Sequence, residues 1–173
     1  MKCLTNSEIE AWYKAIEINL SPQGVLRFEQ SSNYSVHTKI PDNVSQQYGL
    51  LNEAFGFWGM ESGYVVLMDD WNVFSQDDGI VEIIKALRSS HGESRLLSEA
   101  PGHWFESDEK EQGLAFARII TAFKWGGAFL STKKSKIIWE LRDEHLILTT
   151  KDQSVLEKIA SLMKKTGTNF KSY

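Results

Sequence analysis

From Leu114 to Trp125 every residue is apolar except Arg118, Thr121 and Lys124. Those three recur at intervals of three, so on a helix they align as one narrow polar edge. Phe116, Ile119, Ile120 and Phe123 form the opposite stripe, widened by Leu114, Ala115, Ala117, Ala122 and Trp125. A helix this apolar must be covered on most sides, which makes it the expected central, buried helix. A chain of 173 residues can supply the cover, because folding at that size buries roughly 70% of the extended surface. Gly126 and Gly127 are C-cap candidates at its end.

The cover is readable on both sides. Upstream, Thr5 and Glu8 have capping-box spacing, and Ile9, Trp12, Tyr13, Ile16 and Leu20 recur at helical intervals, so a first helix is expected to run to about Leu20. Ser21 to Gly24 reads as a turn. The alternating segments Val25–Gln30 and Tyr34–Ile40 predict a hairpin across Ser31, Ser32 and Asn33. Val44, Tyr48, Leu51, Phe55 and Trp58 share a helical stripe. Tyr64–Phe74 opens with an apolar run that suits a central strand. A helix opening at Asp77 or Asp78 would bury Ile80, Ile83, Ile84 and Leu87 and stop before Gly92. Gly92–Glu106 lacks periodicity and reads as a long loop. Downstream, three short strands are expected at Ala128–Thr132, Lys136–Leu141 and His145–Thr150. A helix follows from about Asp152 to Lys165, with Thr150 and Gln153 at capping-box spacing. Short hairpin links between mixed elements predict an α+β fold, one domain over 1–173, with a largely antiparallel sheet covered by helices.

Composition narrows the class. With 42% hydrophobic, 12% aromatic and 24% charged residues, the chain is neither disordered nor collagen-like. Cys3 is the lone cysteine, so no internal disulfide can form and no thiolate set can hold zinc. The first twelve residues lack the apolar run of a secretory signal, and no stretch approaches the roughly 20 apolar residues that span a bilayer. A cytoplasmic protein without membrane association is expected.

Charge is segregated along the chain. Met1–Lys39 is neutral, Ile40–Glu111 sets four basic against fourteen acidic residues, and Gln112–Tyr173 sets eleven basic against five acidic, which leaves the whole at −4. An acidic stretch of that size repels phosphate backbones and attracts basic partners at long range. Direct nucleic-acid binding ranks last, because Lys133, Lys134, Lys136, Lys164 and Lys165 lack clearly interleaved surface aromatics.

The common nucleotide, zinc-protease and serine-hydrolase motifs are missing, and no cofactor or metal is expected. His37 falls on the polar face of its strand beside Lys39, and His145 opens a strand after a charged turn; both read as exposed side chains. His91 and His103, with Glu93 and Glu106 nearby, lack the spacing of one helix face. Asp69-Asp70 and Asp77-Asp78 bracket Trp71 at a strand end, but consecutive strand residues point to opposite faces, and the second pair suits a helix cap. Cys3 has no histidine near it in sequence and reads as a frayed, exposed thiol. Trp12 and Trp58 lie on core stripes. Trp71 and Trp104 instead stand among acids on irregular backbone, a composition suited to a binding surface.

The acidic, aromatic passages Asp69-Asp70-Trp71, Asp77-Asp78 and Gly102-His103-Trp104-Phe105-Glu106 give the chain a resemblance to small tryptophan-rich bacterial immunity proteins. Phe123 to Phe129 and Arg142 to His145 extend the likeness over the central half. It implies a non-enzymatic module that occludes the cleft of a basic toxin, binding through Asp69, Asp70, Trp71, Asp77, Asp78, Trp104 and Glu106. Two alternatives stand beside it: a small hydrolase or transferase using His91 or His103 with Glu106 or Asp70, and a pocket protein for a small ligand.

Overall fold

The computed structural model describes residues 1–21, 25–29, 33–57, 64–70, 78–131, 137–142 and 144–172, with 53–57, 64–70, 78 and 131 described through their backbone. In chain order the elements are β1 (Lys2–Leu4), α1 (Asn6–Ala15), β2 (Ile18–Leu20), β3 (Leu26–Phe28), β4 (Tyr34–Lys39), α2 (Val44–Phe57), β5 (Tyr64–Asp70) and α3 (Asp78–Ser90). They continue with β6 (Gly102–Phe105), a 3-10 turn at Ser107–Glu109, α4 (Lys110–Ala122), β7 (Gly126–Ser131), β8 (Ile137–Arg142), β9 (His145–Thr150), α5 (Gln153–Lys165) and β10 (Phe170–Ser172). The fold is α+β. Eight strands form one sheet in the order β1-β6-β5-β7-β8-β9-β4-β10, with every described pair antiparallel; β2 and β3 form a separate two-stranded ribbon.

One register row crosses the whole sheet: Cys3, His103, Val66, Phe129, Trp139, Leu148, Val36 and Ser172. Residues opposite one another share a face, and this face meets the larger core. Leu50 and Leu51 of α2, Val81 and Ile84 of α3, Phe116 and Ile120 of α4, and Val155, Ile159 and Met163 of α5 pack there against Phe129, Trp139 and Leu148. The other face carries a smaller core, where Leu4, Ala128, Leu130 and Ile138 meet Ile9 of α1, Ile18 of β2 and Leu26 and Phe28 of β3. That second layer reaches only part of the sheet. Among the described residues no helix is long and apolar enough to cross a membrane.

Several local expectations are corrected. The capping box of Thr5 and Glu8 forms, but α1 stops at Ala15. Glu17 takes a left-handed φ of 59°, and Ile18–Leu20 becomes a strand paired with β3. The hairpin therefore joins β2 to β3, while β4 pairs with β9 and β10. The segment expected as a loop over 92–106 contains β6, an interior strand between β1 and β5. Ile83 is exposed, because Val81 and Ile84 take the inward positions of α3. In α4, Leu114, Phe116, Ala117 and Ile120 are buried, whereas Ala115 and Ala122 face outward. Lys124, with φ 54°, makes the left-handed turn after α4, so Gly126 and Gly127 belong to β7 rather than to a cap. Asp152 caps α5 by accepting from the Ser154 N–H.

Candidate functional site

Of the residues expected to bind from the acidic middle, Trp104 and Glu106 have described side chains. Trp71 and Asp77 lie outside the described residues, as do the side chains of Asp69, Asp70 and Asp78. Trp104 stands on β6, where its ring meets Trp12 edge-on at 6.0 Å and its Nε1 donates to Glu106 Oε1 at 3.0 Å. The indole is thus half-buried in the smaller core. The Tyr64 end of β5 pairs with Phe105 and the Asp70 end pairs with Gly126. Six residues of strand therefore separate Asp70 from the Glu106 end of the sheet, about 20 Å at the rise of a β-strand.

The candidate acid–base histidines are tied to structural partners. His103 is fully buried on the face opposite Trp104, and its Nε2 lies 3.0 Å from Arg88 Nη1. A guanidinium can only donate, so Nε2 carries the lone pair of a neutral ring. Glu106, bonded to Trp104, is on the other side of the sheet. His91 Nδ1 is 3.1 Å from the Met1 ammonium, which also contacts Glu109. Cys3 is buried in β1 rather than frayed, and burial pushes its thiol up from the ordinary range. Among the described residues no group of three His, Cys, Asp or Glu side chains could hold a metal ion.

Three described carboxylates of the acidic stretch pair with cations. Asp42 meets Lys124 at 3.0 Å and Glu82 meets Lys85 at 2.6 Å. Glu93 takes the Arg95 guanidinium, which holds its carboxyl down to about 2. A groove of about 560 Å³ between α3 and the 93–98 segment is lined by Val81, Lys85, Arg88, Arg95, Leu96 and Leu97. Its cations are already engaged: Lys85 by Glu82, Arg95 by Glu93, and Arg88 by the carbonyls of Ala100, Arg95 and Leu96.

The uncovered part of the sheet is different. On the face shared with α1, one register row runs Ala128, Glu140, Ile147, His37, Lys171 across β7, β8, β9, β4 and β10. The adjacent row runs Arg142, His145, Lys39. The β2–β3 ribbon covers the β8 end, where Glu140 is buried and its Oε2 accepts from the Leu26 N–H at 3.2 Å. Beyond it the face opens into a groove of about 510 Å³ lined by His37, Lys39, Arg142, His145 and Lys171, with Ile147 as apolar surface. Ser35 Oγ is 3.0 Å from His37 Nε2. His37 is held below the ordinary histidine range, by burial first and then by the charge of His145. Such a site can bind an anion with an apolar portion; its volume lies in the range of small-molecule sites.

Compared with known protein families, curated proteins and solved structures, the chain matches none.

Proposed function

We propose that the protein is a binding module for a small anionic molecule, which it seats on the open part of its sheet. The carrying observation is the convergence of Lys39, Arg142, Lys171, His37 and His145 from four strands onto one concave surface. The strands fix where these side chains start, and Ile147 offers apolar contact beside them. This keeps the binding class expected from the sequence and assigns the ligand the opposite charge from a basic protein. The acidic surface that would recognise such a protein depends on residues 69–78, and the described candidates Glu106 and Trp104 bond to each other.

Calorimetric titration with benzoate and phenyl phosphate at low and high salt tests the proposal. At least one of the two should bind in the micromolar to millimolar range, weaken as salt rises, and lose about tenfold in affinity in Lys171→Glu. Failure of both probes to bind at low salt contradicts it.

A further inference from the structure

The permanent charges around the groove nearly cancel. On the floor, Arg142 Nη2 stands 3.6 Å from the buried carboxylate of Glu140. At the rim, Lys39 lies 4.0 Å from Asp42 and 3.9 Å from Glu144, while Lys124 lies 3.0 Å from Asp42 and 3.6 Å from Glu144. Two cations and two anions are balanced there. Lys171, directly across from His37 on β10, brings a further cation that no described carboxylate pairs with. Asp143, at the β8–β9 turn, lies outside the described residues. The net charge of the described groups is therefore close to +1 with neutral imidazoles and close to +2 with His37 protonated.

Resting on the proposed anion site, we infer that its ligand is a phosphate monoester bound as the dianion, and that His37 takes up a proton as it binds. The register places the two rings on neighbouring strands of one face, each beside a lysine: His37 across from Lys171 and His145 across from Lys39. Without a ligand, burial first and then the neighbouring His145 disfavour a positive charge on His37. A dianion between the two rings reverses that balance. A phosphate monoester loses its second proton near pH 6, so near neutrality it already carries the two charges that the protonated groove would match. A carboxylate carries one, and would leave His37 less reason to charge. No covalent step is involved; the proton comes from solvent. Ile147 suits an apolar group esterified to the phosphate.

The test is calorimetry with phenyl phosphate at pH 6.5 and 8.5, each in two buffers of different ionisation heat, with benzoate as the comparison. Phenyl phosphate should bind about tenfold more tightly at pH 6.5, the equivalent of one pKa unit of coupling, with net proton uptake by the unmodified protein. Benzoate should bind more weakly than phenyl phosphate at both values. In the variant His37→Gln the pH dependence should flatten. Equal affinity at the two pH values, no proton uptake, or benzoate binding as tight as phenyl phosphate each overturns this inference while leaving anion binding intact. Binding of neither compound overturns both.

Discussion

Arg88 on α3 and His103 on β6 meet at 3.0 Å inside the covered face of the sheet, and the arginine is the donor. The same guanidinium reaches the carbonyl oxygens of Ala100 at 2.7 Å, Arg95 at 3.1 Å and Leu96 at 3.3 Å. One buried cation thus fixes the whole passage from α3 into β6 by charge-assisted hydrogen bonds, in place of an ion pair. Arg88→Lys keeps the charge but lacks the planar fork that serves four acceptors. It should lower stability by about 2–4 kcal/mol, measured by urea denaturation, with faster amide exchange over 95–100. A loss under about 0.5 kcal/mol would remove the clamp from the account.

Glu93 sets an acid limit for the same passage. Hydrogen bonds from the Arg95 side chain are the largest cause of its low value, and a bond from the Arg95 backbone N–H adds to them. A carboxyl held lower in the folded state than its ordinary 4.5 contributes stability that is complete above that value and lost as pH falls toward about 2. Glu93→Gln should therefore be less stable than the parent at pH 6, with the gap closing between pH 4.5 and 2. Melting temperatures across that window decide it; a gap independent of pH would show that the pair adds no linkage.

Gly102 marks the closest approach of the smaller core to the sheet. A Cβ there would stand 3.0 Å from Ile9 Cδ1, Ile9 Cγ1 and Leu4 Cβ. Gly102→Ala should cost about 1–3 kcal/mol as α1 is pushed outward, visible as a lower denaturation midpoint. An unchanged midpoint would mean that α1 rides higher on β6 than described.

Glu140 joins stability to recognition. Its carboxylate anchors the β2–β3 ribbon through Leu26 and faces Arg142 at the edge of the groove. Glu140→Gln keeps an acceptor for Leu26 and frees the arginine charge. It should tighten phenyl phosphate binding several-fold at low salt, at a stability cost of about 1–2 kcal/mol. Weaker binding in a folded variant would argue against Arg142 as a ligand-facing cation.

The fold was legible where a local rule had one outcome. Thr5 and Glu8 cap α1, a choice settled within a few residues, and β8 and β9 form where strands were expected. The end of α1 was not legible: Ile16 and Leu20 continue its apolar stripe, and only the left-handed turn at Glu17 converts the remainder into β2. Strand β6 was hidden because both its faces are buried, Gly102 and Trp104 on one side and His103 and Phe105 on the other, which erases the alternation of a half-exposed strand. The groove escaped for a different reason. His37, Lys39 and His145 read singly as solvated strand residues, and they become one surface only when β10, three residues long, closes the edge beside β4. Pairings between residues more than a hundred positions apart leave no local trace.

The most direct test of the account is an amide chemical-shift titration of the labelled protein with phenyl phosphate at pH 6.5. The account predicts saturable shifts concentrated at His37, Lys39, Arg142, His145, Ile147 and Lys171, the two adjacent rows of the open sheet. Shifts centred on the groove between α3 and residues 93–98, or no saturable shift at all, would contradict it.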